Sequence, residues 1–205
     1  MVGEHLYHET PPYGGKRVMK VYMAGPLFTE AERQWNDRVC ALLEAQGHEV
    51  FLPQRDSPQA DLDDPDWQQA TFEADVRALR ETDVVLANLN GPQADDGTAW
   101  ECGMAFALDI RIVAYRDDWR QAGDDGRGNL MLTRSAEHVA GTVEDALVYL
   151  ERMTRRLEAD MALWRSTRAA EDDVVVKMPP KSERAVTVNV VSNHKGAPRF
   201  QREGD

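Results

Sequence analysis

Glu101 is the side chain in this sequence best placed to do chemistry. It closes Gly97-Thr98-Ala99-Trp100-Glu101, shortly after the apolar run Val84 to Leu89, which stops at Asn90-Gly91-Pro92. A short continuous apolar run ended by such a turn reads as a buried parallel strand, and the chain then restarts as a helix. The spacing of Thr98 and Glu101 sets the carboxylate in the first turn of that helix. This is the carboxyl end of a buried strand, where open α/β sheets bind ligands. The helix dipole favours an ionised carboxylate there by about 0.3 to 1 kcal/mol at exposed sites, which suits a nucleophile. The same spacing also has a purely structural meaning. Thr-x-x-Glu is a capping box, in which Thr98 accepts from the Glu101 amide and the Glu101 carboxylate accepts from the Thr98 amide. The residues alone leave both readings open.

A second carboxyl group, Asp75, lies on a helix expected from Trp67 to Arg80, with Phe72, Val76 and Leu79 as its buried stripe. One residue is a rotation of about 100°, so Asp75 falls on the flank of that stripe, where an exposed Asp is the ordinary reading. The preceding segment, Gln54 to Asp66, is rich in Pro and Asp and too polar for a core. It leaves the same sheet edge as the Glu101 loop. Loops in that position carry ligand contacts or act as lids, or are simply solvated surface.

Alternating strands and helices must position these groups. Lys20 to Ala24 is the first strand, broken by Gly25-Pro26. Thr29 and Glu32 form a capping box that opens a helix with Ala31, Trp35, Val39, Leu42 and Leu43 at helical spacing, ended by Gly47. Val50 to Pro53 is the second strand and Arg111 to Tyr115 the fourth. Thr142 opens a helix to Arg168 with Leu147, Leu150, Leu157, Met161 and Trp164 as its stripe; the first two suit the core and the distal turns suit a subunit contact. The pattern predicts an α/β, flavodoxin-like three-layer fold with a parallel central sheet in the order 2-1-3-4 and room for a fifth strand. Its switch point, between strands 1 and 3, sets the Tyr22 to Phe28 turn across one crevice from the Asp95 to Glu101 turn. Residues 1–17 read as a flexible arm, 18–168 as the domain, and 169–205 as a C-terminal extension. In the extension, Val174 to Val176 and Ala185 to Val191 read as strands around Pro179-Pro180.

Composition narrows the function classes. The chain has 205 residues and a formal net charge of −12, with a pI near 4.9. Such acidity argues against a nucleic-acid backbone as partner, which needs clustered Lys and Arg. No apolar run reaches the roughly 18 residues of a membrane span, and the first residues lack the apolar segment of a signal peptide, so a cytoplasmic protein is expected. Cys40 and Cys102 each fall within a predicted helix and read as reduced, packed thiols. His5 and His8 have no Cys or carboxylate cluster around them, and Asp117 to Gly128 lacks a P-loop pattern, so neither a metal nor a cofactor is expected.

Asp95-Asp96-Gly97-Thr98-Ala99-Trp100-Glu101-Cys102-Gly103 resembles the Asp-x-Gly-x-x-x-Glu-x-Gly signature of the nucleoside 2-deoxyribosyltransferase family. Val21 to Phe28 resembles the family's opening strand and turn. Asp75, eight residues before Asp83, resembles its acidic helix residue, and Asn129-Leu130-Met131 its late segment that enters a neighbouring subunit's site. The resemblance implies Glu101 as nucleophile and Asp75 as proton donor. It implies Tyr22 and Met131 lining the site, Asp95 and Asn129 on the 5′-hydroxyl, and Gln54 or Arg55 against the base. The substrates implied are purine or pyrimidine 2′-deoxynucleosides and free nucleobases, handled without a cofactor by a homo-oligomer with shared active sites. In related nucleoside 5′-monophosphate N-glycosidases the position of Asp95 resembles Ser, whose hydroxyl can donate to a phosphate. An ionised Asp can only accept, which suits a 5′-hydroxyl and repels a phosphate. A nucleoside or nucleotide hydrolase is the alternative, and a non-catalytic nucleoside-binding protein the third reading.

Overall fold

Five short strands, three of them nearly all apolar, lie side by side because helices cover both of their faces. The computed structural model describes residues 17–58, 63–120 and 128–170, with side chains to 164. In chain order the elements are β1 Lys20–Ala24, α1 Glu30–Ala45, β2 Glu49–Phe51, α2 Pro53–Asp56, α3 Trp67–Glu81 and β3 Val84–Asn88. They continue with α4 Asp96–Ala107, β4 Arg111–Tyr115, α5 Leu130–Ser135, β5 His138–Ala140 and α6 Val143–Ala170. The sheet order is β2-β1-β3-β4-β5 and every pairing is parallel. All five residues of β3, the central strand, are buried. The flavodoxin-like order expected from the sequence is present, and His138–Ala140 is the fifth strand.

Side chains alternate between two dry layers. Val21, Met23, Val84, Leu86, Val113 and Tyr115 face α1 and α6, which contribute Val39, Leu43, Val143, Leu147 and Leu150. Tyr22, Ala24, Val85, Ala87, Ile112 and Ala114 face α3 and α4, which contribute Leu79, Cys102 and Ala105. Ala24, Ala87 and Ala114 are in register across β1, β3 and β4, so this second face carries a row of small side chains near the carboxyl edge. Cys40 and Cys102 are free, buried thiols in opposite layers, which explains why they do not pair.

Several local expectations are corrected. β2 ends at Phe51 because Pro53, lacking an N–H and fixed in φ, opens α2 instead. In α1 the buried residues are Asn36, Val39, Cys40 and Leu43, whereas Ala31 and Leu42 face outward. α3 is turned so that Ala74 and Leu79 are its buried residues; Phe72 is half exposed and its ring tilts against Trp100 at 5.7 Å. This rotation carries Asp75 inward. On α6, Leu157 packs on the core beside Leu147 and Leu150, and further along Arg17 Nη1 donates to Met161 Sδ at 3.0 Å. The N-terminal arm before residue 17 and the two C-terminal strand segments lie outside the described residues. Among the described residues no helix is long and apolar enough to cross a membrane.

Candidate active site

Tyr22, Glu101 and Asp75 meet on the α3–α4 face of the sheet. The Tyr22 ring is fully buried and stacks on Phe51 of the neighbouring strand, with centroids 5.3 Å apart and planes at 14°. That stack fixes the phenol, which donates to Glu101 Oε1 at 2.6 Å. Burial, followed by the negative charges of Glu101 and Asp75, pushes the Tyr22 pKa far above its ordinary value. The phenol therefore remains a donor at any pH the protein meets.

Glu101 reaches the phenol because it is not a cap. The start of α4 lies earlier than its Thr-x-x-Glu spacing suggests: Asp95 is the N-cap and Asp96 the first helical residue. Asp95 Oδ2 accepts from the Thr98 amide at 3.0 Å and from the Thr98 hydroxyl at 3.2 Å. The expected Thr98–Glu101 capping box is therefore absent, since Asp caps at least as well as Thr and takes the free amides first. Glu101 falls in the second turn, beyond the reach of most of the dipole's effect. Its pKa accordingly runs opposite to the sequence expectation, pushed up to about 7. Burial is the main cause and the Tyr22 hydrogen bond opposes it, while the negative charges of Asp75 and Asp95 add to the rise.

Asp75 faces the same space from α3. Ser57 Oγ donates to Asp75 Oδ1 at 2.5 Å, and burial holds the Asp75 pKa above its ordinary value against the lowering effect of that bond. Two carboxyl groups and one phenol are thus close enough to act on one another's charge. They differ in what supports them: Glu101 has a phenol donor, Asp75 an aliphatic hydroxyl. Among the described residues no group of three or more His, Cys, Asp or Glu side chains could hold a metal ion. Two concavities lie away from this site. Concavities of about 260 and 340 Å³ are lined by Lys20, Arg55 and Glu81 and by His138, Tyr149 and Arg152, and neither includes Glu101 or Asp75. The chemistry of the side chains marks the site.

A family profile described as Nucleoside 2-deoxyribosyltransferase matches residues 21–174. The chain belongs to the nucleoside 2-deoxyribosyltransferase family. A nucleoside deoxyribosyltransferase of Limosilactobacillus fermentum is 32% identical over 105 residues, covering 46% of this chain and 62% of that protein, so the match spans less than two thirds of the relative. Among solved structures, a 2-deoxyribosyltransferase from Bacillus psychrosaccharolyticus superposes with a TM-score of 0.54 at 24% identity, over 62% of this chain and 88% of the other. A conserved protein from Enterococcus faecalis V583 does so with 0.58 at 25% identity, over 68% and 99%. These likenesses carry the fold.

Within this deoxyribosyltransferase-family domain the remaining expected residues form hydrogen bonds of their own. Asn129 is the N-cap of α5 and accepts from the Met131 amide at 2.9 Å; Met131 is 71% exposed. No hydrogen bond joins either to Tyr22, Asp75 or Glu101. Gln54 serves as a brace to α1: its Nε2 donates to the Arg33 carbonyl at 3.0 Å and Asp37 Oδ1 at 2.8 Å, and its Oε1 accepts from Asn36 Nδ2 at 3.0 Å. Arg55 pairs with Glu44 and Asp56 and donates to the Val50 carbonyl.

Two supporting features have no signature in the sequence. Ser57 lies in the Gln54 to Asp66 segment, whose composition suits ligand contacts, a lid or solvated surface but singles out no residue, and its partner is 18 residues away. The loop that delivers Asp95 is latched from the end of β4: Arg116 Nη1 donates to the carbonyls of Leu89 and Gly91, and Asn90 exchanges bonds with Asp117 while accepting from the Asp118 amide. An Asn-Gly-Pro turn announces a turn in sequence but not the partner that holds it.

Proposed function

We propose that this chain is a nucleoside 2-deoxyribosyltransferase that works by double displacement through Glu101. The observation that carries the proposal is the 2.6 Å bond from the Tyr22 phenol to the Glu101 carboxylate, beside a second raised-pKa carboxyl group. Cleavage of the C1′–N bond of a 2′-deoxynucleoside develops oxocarbenium-like charge at C1′, which a carboxylate beneath it stabilises and then captures, as in retaining glycosidases. Glu101 takes that part. Tyr22 orients it and favours its ionised form.

The departing base needs a proton. Asp75 supplies it, so the competent state holds one proton on the carboxyl pair, on Asp75, with Glu101 ionised. As the C1′–N bond breaks, its electron pair passes to the base, the Asp75 proton goes to a base nitrogen and a Glu101 oxygen bonds to C1′. A second base then attacks C1′, displaces Glu101 and returns a proton to Asp75. Two inversions give net retention.

Asp95 reads the 5′ position in this scheme. One of its oxygens caps α4, and Gly97 permits this, because a Cβ there would stand 3.1 Å from Asp95 Oδ2. The other oxygen accepts the 5′-hydroxyl, and the charge repels a 5′-phosphate. Incubating the purified protein with 2′-deoxyinosine and free adenine tests the whole reading. Formation of 2′-deoxyadenosine is the expected result. Free hypoxanthine and deoxyribose alone would identify a hydrolase, and binding without turnover a non-catalytic protein.

A further inference from the structure

The segment that follows β2 ends in a hydroxyl aimed at the proton donor. We propose that Ser57 is a positioning residue for Asp75, fixing which of its carboxyl oxygens carries the proton delivered to the leaving base. This rests on the reading of Asp75 as that donor.

Ser57 is held by a scaffold. It is the C-cap of α2, is only 7% exposed, and its amide donates to the Pro53 carbonyl at 3.1 Å. α2 is itself pinned on three sides. Gln54 bonds to Asn36, Arg33 and Asp37 of α1; Arg55 bonds to the Val50 carbonyl and to Glu44; Asp56 accepts from the Leu52 amide at 2.8 Å. A helix of one turn gains little from its own hydrogen bonds, so these side-chain anchors set its place. The anchoring gives the Ser57 hydroxyl a fixed origin.

From that origin Ser57 Oγ donates to Asp75 Oδ1 at 2.5 Å, the one hydrogen bond to the Asp75 carboxyl among the described residues. A carboxyl group with a single partner otherwise turns freely about its broad terminal torsion. With Oδ1 accepting from Ser57, the acidic proton resides on Oδ2. In the first step the Oδ2 proton passes to a base nitrogen, the C1′–N electron pair goes to the base, Glu101 bonds to C1′, and Asp75 is left as a carboxylate that still accepts from Ser57. In the second step the incoming base gives its proton back to Oδ2 as its nitrogen bonds to C1′. Ser57 neither gains nor loses a proton in the cycle.

The test compares Ser57→Ala, Ser57→Thr and Asp75→Asn on two donors, with enzyme in excess and no acceptor, so that release of the first base in a single turnover is read alone. 2′-Deoxyinosine must receive a proton as its base leaves; 7-methyl-2′-deoxyguanosine carries a positively charged base that departs without one. Ser57→Ala should lower the saturating rate of hypoxanthine release by about 10- to 100-fold, the scale of a misoriented catalytic group, with the half-saturating concentration within about twofold. Its loss on the methylated donor should stay under about threefold, and Ser57→Thr, which keeps the hydroxyl, should restore turnover. Equal losses on both donors for Ser57→Ala would reduce Ser57 to a packing residue. The positioning role also fails if Ser57→Ala is fully active while Asp75→Asn loses 2′-deoxyinosine turnover alone; Asp75 then stands without Ser57. Asp75→Asn that treats both donors alike removes Asp75 as the donor and the role of Ser57 with it.

Discussion

The chain contains the same four-residue pattern at two helix starts, and the two fold differently. At α1, Thr29-x-x-Glu32 closes a complete capping box: Glu32 donates its amide to Thr29 Oγ1 at 3.2 Å, and the amides of Thr29 and Phe28 donate to Glu32 Oε2 at 2.8 and 3.0 Å. At α4, Thr98-x-x-Glu101 has the same letters, but Asp95 stands three residues ahead and takes the cap. Thr98 becomes a donor to that cap, and Glu101 is carried one turn further along the helix. Capping is thus competitive. An acceptor upstream releases the acid downstream, and the released acid is the one that meets Tyr22.

The sharpest way to break the comparison is to make the same substitution in both. Glu101→Gln should abolish deoxyribosyl transfer, by about 10³-fold or more, because an amide cannot capture C1′. Glu32→Gln should leave turnover within about twofold while costing up to about 1 kcal/mol of stability as the capping box weakens. Assay of both variants below their melting temperatures decides the matter. Residual activity in Glu101→Gln comparable to that of Glu32→Gln would mean that Glu101 is not the nucleophile.

The two glutamates also titrate in opposite senses. Glu32 lies below its ordinary pKa, chiefly through the Thr29 backbone amide, so its stabilisation is present above the unfolded value near 4.5 and is lost as pH falls through the lower folded value. Glu101 is raised from 4.5 to about 7 by burial, so its contribution is fully present below 4.5 and is lost as pH rises through about 7. Glu101→Gln removes that penalty while keeping an acceptor for Tyr22. The variant should be more stable than the parent at pH 8 by up to about 3 kcal/mol, with the difference vanishing near pH 4.5. Thermal melts across that range read the effect directly. A destabilised Glu101→Gln at pH 8 would show that the carboxylate is well solvated after all.

What was legible in the sequence follows the reach of the physics involved. β1, β4 and the capping box of α1 depend on neighbours within a few residues, and Lys20–Ala24, Arg111–Tyr115 and Thr29–Glu32 form as their spacing indicates. The sheet order follows from hydrophobic continuity and the length of the crossovers. The start of α4 is not set by local spacing, because Asp95, Asp96 and Thr98 are all competent caps. The chain from Leu89 reaches them along a path that Arg116 holds through the Leu89 and Gly91 carbonyls. The rotation of α3 differs from its periodicity for a related reason. Ala74 is buried and Ala78 packs on the layer that holds Ala24, Ala87 and Ala114, while Phe72 stays half exposed. Periodicity favours the larger residue; packing against a small-residue strip favours the smaller. Glu101, Asp75 and Tyr22 stand out as candidates by their motifs, yet the hydroxyl behind Asp75 has no local signature, since a contact 18 residues away leaves none.

The mildest perturbation tests whether a cap and a substrate contact coexist in one side chain. Asp95→Ser keeps an N-cap of similar quality, so the start of α4 should persist and stability should change by no more than a few tenths of a kcal/mol. The substituted hydroxyl is uncharged, and with its one oxygen engaged by the Thr98 amide it lacks the second carboxylate oxygen that would accept from a 5′-hydroxyl. Use of 2′-deoxynucleosides should fall by about tenfold in kcat/KM, equivalent to one hydrogen bond of about 1.4 kcal/mol. Loss of the negative charge should at the same time relieve the exclusion of 2′-deoxynucleoside 5′-monophosphates, because two anions a few ångström apart no longer repel. The informative quantity is the ratio of the two kcat/KM values, which cancels any general loss of active protein. Thr29→Ser, a change at the purely structural cap of α1, should leave that ratio where it was. If Asp95→Ser also leaves it unchanged, the carboxylate at Asp95 caps the helix and reads nothing at the 5′ position.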